Sequence, residues 1–407
     1  MTMPEWQIPL SDLDYGAEEA AAVRRVLEGK WLSMGPETAA FEQEFGAVVG
    51  VPHACAVSNG TAALHLAFLA LGLGPGDEVI QPAVNFVASA NMTKAVGATP
   101  AFGEIVDLDE PTLAPAEIER LVTPHTKAVV VMHYSGYFCR MAEIQKACRK
   151  HHLALIEDAC HAVGARCPRV ANESASSLGS LAAGALGDIG CFSFFSNKNL
   201  VTGEGGMVTT RRDDLNDKVR NLRSHGMSTL TWDRHRGHAA TYDVLAHGYN
   251  YRIDDLHSAL GREQLKKLDR NNRRRREMTA LYWQGLQPLE SRGWILPFRK
   301  AATLDSAACH LLPVVAPDAD TRWRCAEALK SAGIQTSLHY PFIPGFTGFA
   351  GLGTRGGLDK SIAFCQRIIT LPLFPTMTEA QVQTVCGTLI TAAPGSQPSA
   401  FVAPSVH

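Results

Sequence analysis

The sequence predicts an α/β fold: a large domain on a mostly parallel sheet, followed by a smaller C-terminal α+β domain. Three observations carry this. Short apolar runs at 78–81, 99–105, 127–132 and 153–156 alternate with helical patterns, and such alternation gives a parallel sheet covered on both faces. Near residue 295 the pattern changes to strands and helices in mixed order. The length of 407 residues, 46% of them hydrophobic and 19% charged, is ample for two cores. The expected boundaries are 1–255 for the large domain and 256–392 for the small one. The tail, 393–407, is expected to be disordered.

Residues 16–29 place Ala20, Val23, Val26 and Leu27 at helical spacing. KWLSMGP at 30–36 reads as a turn-rich loop, either a connection or a substrate or subunit contact around Trp31. Residues 54–59 read as a short buried strand that ends in a polar turn. A helix then starts at Gly60 with Leu64, Phe68 and Leu71 on one stripe, and Ser58 or Asn59 as its N-cap. Helices are expected near 82–91, 115–122 and 141–151, a flexible loop over 171–186, and strands at 191–195 and 206–210. Residues 215–223 are helical. The stretch 224–247 holds Trp232 and His225, His235, His238 and His247, which match no metal-ligand spacing. Residues 248–268 read as a polar turn followed by an amphipathic helix, which continues through the basic run RNNRRRR at 270–276, read as a solvated face. The second domain is expected to carry strands at 309–315 and 335–338 and helices at 322–332, 359–367 and 378–389.

The chemistry gathers at three stretches. Lys198 stands in a polar turn between a buried strand and a Gly-rich loop, in GCFSFFSNKNLVTGEGGMVTT. Its amine becomes a nucleophile if desolvation lowers its pKa. Asp158 stands where an apolar strand runs out, the end at which open α/β sheets bind ligands. Ser58, Gly60 and Thr61 open a helix whose free amides make an anion site. A lysine for a Schiff base, a carboxylate for a pyridinium and a phosphate cup are what a pyridoxal 5'-phosphate (PLP) enzyme needs. Phe86 falls just after a strand end, either in the core or stacked on a planar ring.

The formal net charge of -2 gives no reason to expect nucleic acid or an acidic membrane. No apolar run approaches the ~20 residues of a membrane span, and the N-terminus lacks the marks of a signal peptide. Ten scattered cysteines without a CxxC pair read as reduced thiols in a cytoplasmic protein, with no metal site.

Four motifs, SNGTAALHLA, IEDACHAVGA, FSFFSNKNLVTGEGGMV and GYNYRIDDLHSALG, resemble the DegT/DnrJ/EryC1/StrS sugar aminotransferases, PLP enzymes of aspartate aminotransferase fold type I. The resemblance runs from the WLSMGP loop to LPLFPTMT at 371–378. It implies that Lys198 binds the cofactor as an imine, that Asp158 holds its pyridinium nitrogen and that His161 lies near its phenolic oxygen. It further implies that Phe86 stacks on the ring, that Gly60, Thr61 and Ser193 bind the phosphate, and that Asn250 reaches the phosphate of the other subunit of a homodimer. A dehydratase branch of the family has histidine where this chain has Lys198. Arg140 stands where an acidic residue is usual, and the 171–186 loop is longer than typical; both could touch substrate or solvent.

The implied reaction moves an amino group from glutamate or glutamine to a keto-sugar, nucleotide-linked in this reading. Two alternatives stay open: a transaminase of a ketocyclitol or other natural-product ketone, and a PLP-binding regulatory protein without turnover.

Overall fold

The computed structural model describes residues 6–167, 181–229, 241–300, 304–352 and 355–394. Two helices, α1 (Ala17–Gly29) and α2 (Pro36–Val49), precede the sheet. The strands follow as β1 (His53–Val57), β2 (Glu78–Pro82), β3 (Thr99–Gly103), the small ribbon β4 (Ile105–Asp107) and β5 (Glu110–Leu113), then β6 (Thr126–Met132), β7 (Ala154–Asp158), β8 (Ile189–Ser193) and β9 (Gly206–Thr210). Seven of them form the main sheet in the order β1-β9-β8-β7-β6-β2-β3. The pairs from β3 across to β8 are parallel, and β9 runs antiparallel to both β8 and β1.

Alternation along the strands feeds two cores. Cys55, Val57, Val130, Ile156 and Cys191 face one side, under α3 (Gly60–Ala70), α4 (Ala88–Ala95) and later α7 (Asp213–Arg223). Ala54, Ala56, Val129, Val131, Leu155 and Phe192 face the other, with α2, α5 (Pro115–Leu121) and α6 (Met141–His151). Phe41 and Phe45 of α2 pack on Phe192 and Phe194 at ring distances of 5.0–5.4 Å. Helix α8 (Asp255–Leu286), 32 residues long, is capped by Asp254, which accepts from the His257 amide. Asp255 caps α2 from across the chain, accepting from the amides of Gly35, Glu37 and Thr38. The far half of α8, with Met278, Tyr282 and Leu286, joins a third core with β10 (Leu312–Val315), α9 (Ala319–Ser331), α10 (Asp359–Arg367), β11 (Ile368–Leu371) and α11 (Glu379–Ala392). That core also takes in Met132 and Tyr134, at the end of β6.

Several expectations change. The strand expected over 99–105 splits in two at Glu104, whose carboxylate accepts from the amides of Lys360 and Ser361. No strand forms over 335–338, because Ser337 makes only an isolated bridge to Thr370. The basic run is a solvated face only in part, at Arg270 and Arg273. Arg275 is buried and donates to the carbonyls of His310 and Leu373, Arg276 donates to that of Ala307, and Arg270 pairs with Asp14. The part of the 171–186 loop from 181 onward is packed, with Ala182, Ala183, Ala185 and Leu186 buried; 171–180 lie outside the described residues. Trp232, His235, His238 and the tail from 395 also lie outside them. Arg140 neither faces solvent alone nor enters a cleft: it forms a two-bond pair with Glu110, at 2.9 and 2.7 Å.

Candidate active site

The carboxyl ends of β6, β7 and β8 and the start of α3 open into one cavity of about 600 Å3. Gly60, Thr61, Phe86, Asp158, His161, Ser193 and Lys198, brought in from four separate stretches of the chain, all line it. Asn250 does not. It is exposed, on a bridge to Ser224.

One end of the cavity is built to take an anion. Asn59 caps α3, its side chain accepting from the Ala62 amide at 2.8 Å while its carbonyl takes the Ala63 amide. That leaves the Gly60 and Thr61 amides as open donors at the positive end of the helix. A Cβ at Gly60 would lie 2.8 Å from Cβ of Ser193, and one at Gly206 would lie 2.6 Å from the Asn59 carbonyl oxygen. Glycine at these two places lets β8 and β9 press against the helix start.

At the other end stands Asp158, buried where β7 ends. Its carboxylate accepts from Nδ2 of Asn85 and from the Cys160 amide, both at 3.3 Å. Lys198 hangs from the loop between β8 and β9, which is pinned by bonds from Lys198 N to the Phe195 carbonyl, Phe194 N to that of Gly205 and Thr202 N to that of Phe194. Burial lowers the pKa of its amine below the usual lysine value; Cys160 and the Asp158 charge oppose the shift without cancelling it. A larger fraction of amine is therefore unprotonated than at an open lysine.

Sequence reasoning missed several neighbours. Tyr340 and His339 arrive from beyond α9, Asn85 from the end of β2 and Tyr251 from ahead of α8. Burial, with Asp158 and Cys160 close by, holds the Tyr340 phenol well above its usual pKa, so Tyr340 keeps its proton. It donates to Nε2 of His161 at 2.7 Å. The His161 imidazole is held well below its usual pKa by burial, Lys198 and His339, and is neutral. The hydrogen-bond network then assigns its own proton to Nδ1, a buried atom without a protein partner. The sequence signal for His339 and Tyr340 was His339-Tyr340-Pro341, a short stretch before a proline.

These parts fit a phosphorylated pyridine aldehyde. There is an anion cradle that a Cβ would fill, a buried carboxylate with lone pairs to spare, an unpartnered N–H donor and an amine of lowered pKa.

The chain is 38% identical over 381 residues to the spore coat polysaccharide biosynthesis protein SpsC of Bacillus subtilis, covering 91% of this chain and 93% of that protein. Among solved structures, DesV of S. venezuelae superposes with a TM-score of 0.84 at 32% identity, over 96% of this chain and 99% of DesV. DesI, solved in the presence of its TDP-sugar product, superposes with a TM-score of 0.80 at 27% identity, over 95% of this chain and 92% of DesI. A family model matches residues 14–390, nearly the whole chain, and the protein accordingly belongs to the DegT/DnrJ/EryC1/StrS aminotransferase family.

Proposed function

We propose that this aminotransferase uses PLP to move an amino group from glutamate or glutamine to a nucleotide-linked keto-sugar, yielding an amino-sugar. The observation that carries the reading is the pairing, in one cavity, of a lysine of lowered pKa with a buried, incompletely bonded carboxylate. PLP, when bound, supplies an electrophilic carbon for the amine and an electron sink for the bonds broken beside it. Lys198 would hold the cofactor through Nζ, and its amine would serve as the base that takes and returns the proton on the donor's Cα. Asp158 would pair with the ring nitrogen. His161 offers its Nδ1 proton to the phenolic oxygen. The Gly60 and Thr61 amides and the hydroxyls of Thr61 and Ser193 bind the phosphate, and Phe86 covers a ring face.

The sugar assignment draws on SpsC, a polysaccharide biosynthesis protein, and the nucleotide on DesI and its TDP-sugar product. A homodimer completes the site in this reading. Phe86 and Phe195 line the cavity while 53% and 46% exposed, and Val244, Leu245 and Tyr249, next to Asn250, are exposed too. A second copy would cover this apolar surface and bring its Asn250 to the phosphate. Ten scattered cysteines without a CxxC pair suit a cytoplasmic setting.

The test is to load the protein with PLP, add glutamate or glutamine, and screen nucleotide-linked and free keto-sugars by mass spectrometry for exchange of a carbonyl oxygen for an amine. Amination of nucleotide-linked sugars is expected. Turnover of free ketones alone would move the reading to the ketocyclitol alternative.

A further inference from the structure

Behind the wall that carries Lys198 lies a second, much smaller pocket, of about 20 Å3. Asn197 and His339 line both spaces and form the partition between them, whereas His310 lines only the small one. Two polar atoms of these residues are buried without a protein partner: Nε2 of His310 and Oδ1 of Asn197. His310 as a whole is 3% exposed.

The character of both atoms follows from their neighbours. Asn199 donates its Nδ2 to Oδ1 of Asn272 and to the Ala308 carbonyl, both at 2.8 Å. Its own Oδ1, 3.0 Å from Nδ1 of His310, is therefore the acceptor, and Nδ1 carries the imidazole proton. Burial, with His161, Lys198, Arg275 and His339 nearby, holds the His310 pKa well below its usual value, so the ring stays neutral. Its Nε2 is then a bare acceptor. The Asn197 oxygen is an acceptor as well. Two acceptors cannot satisfy one another; what satisfies both is one small molecule that donates twice.

We infer that this pocket is a built site for a single water, which donates one hydrogen to Nε2 of His310 and the other to Oδ1 of Asn197 and so positions Asn197 beside Lys198. The size fits, since a water needs about 10–15 Å3 on this measure. An ammonium ion would offer the same donors. Among the described residues no carboxylate lines the pocket, however, and the positive charges of Lys198 and Arg275 lie close to His310, so the site favours a neutral donor. Arg275 donates to the carbonyls of His310 and Leu373, and this fixes the back of the pocket.

A high-resolution crystal structure of the full chain, grown without ammonium salts, tests the site itself. One ordered water within hydrogen-bond reach of both atoms is expected. A dry pocket, or a His310 ring whose Nε2 bonds to protein, overturns the site; a density peak that appears only with ammonium in the crystals overturns the choice of water. Two variants then test the pair. Asn197→Leu should expel the water, and Asn197→Ser, which keeps an oxygen and opens room, should retain it. Water that persists unchanged in Asn197→Leu shows that Asn197 is not its partner. The positioning role rests on the reading of Lys198 as the covalent site, and wild-type capture of PLP by Lys198, followed by absorbance, is its control. Absence of capture in the wild type refutes that reading and leaves the crystallographic result standing. With capture present, its rate should fall severalfold in Asn197→Leu and stay near wild type in Asn197→Ser; equal rates in the two variants refute the positioning role.

Discussion

Glu157 and Asp158 are neighbours on β7, and both are buried carboxylates. The strand turns them to opposite faces of the sheet. Glu157 accepts from the amides of Gly184, Leu186 and Gly187 at 3.0, 2.7 and 2.6 Å. A fourth donor is Nε2 of His133, at 2.9 Å. The proton on that nitrogen is fixed because Nδ1 of His133 accepts from the Cys139 amide. Asp158, one residue on, has two bonds at 3.3 Å and a cavity in front of it. Identical chemistry in adjacent positions thus has two uses. The saturated carboxylate staples a loop to the sheet. The incompletely bonded one keeps capacity for a cation that is not part of the chain, since a buried charge stays costly until it is paired.

The comparison can be broken or sharpened in steps. The largest effect should come from Lys198→Ala, which removes the group opposite Asp158. Activity should fall by at least ~10²-fold, and borohydride reduction followed by peptide mapping should place the pyridoxyl label of the wild type on Lys198. A label on another lysine would sink the assignment. Asp158→Asn should keep some PLP but lose roughly 10²-fold in turnover, because an amide cannot pair with a protonated ring nitrogen. Near wild-type turnover there would mean that the ring partner lies elsewhere.

A mixing experiment asks whether the Asp158 side of the sheet is completed by a second copy. Inactive Lys198→Ala and Asn250→Ala subunits, once exchange is confirmed with tagged chains, should regain about a quarter of wild-type activity. Half of the dimers are then mixed, and each has one intact site of two. A fully exchanged mixture that stays inactive counts against shared sites.

Glu157→Gln should act on stability instead. An amide in place of the carboxylate leaves buried N–H donors poorly matched, at a cost of about 2–3 kcal/mol in denaturant unfolding, while turnover per folded molecule changes little. A stable Glu157→Gln protein without turnover would erase the contrast with Asp158. The effect that is smallest at neutral pH concerns acid. Burial, and Lys198 nearby, depress the His339 pKa to about 4. The unfolded chain binds that proton near pH ~6.5, so the stability this group contributes is complete above that value. It is lost as pH falls through the folded pKa, up to roughly 3 kcal/mol in all. His339→Asn should flatten the unfolding curve between those two pH values; an unchanged slope would show that His339 titrates normally.

Much of the fold was legible because apolar period maps directly onto strand and helix. The helix expected at 359–367 and the strand at 206–210 form where periodicity puts them. The direction of β9 was not legible, since GMVTT reads alike up or down a sheet. Helix α2 went unassigned although Pro36 at its first turn and Phe41 and Phe45 one turn apart were its signals. Arg275 was misplaced because a basic run says nothing about the carbonyls that a fold brings to it. At the site, Tyr251 beside Asn250 and Asn85 beside Phe86 went unread, as did the residues delivered from afar. Asn85, His310, His339 and Tyr340 gain their meaning only from neighbours distant in the chain.

The lone reversed strand also has a consequence in time. Among the described residues β1 has no hydrogen-bonded neighbour in the sheet other than β9, with Val57 opposite Gly206. During synthesis the edge at 53–57 must therefore wait, unpaired, until residue 210 has been made. Gly206 of that late strand presses on Asn59, and Ser193 and Cys160 press on Gly60. Non-local pairings of this kind form slowly and leave strand edges exposed meanwhile. The nascent chain thus acquires its anion cradle only after the ribosome has passed Lys198, and a truncated product ending before β9 should be unable to hold a phosphate at all.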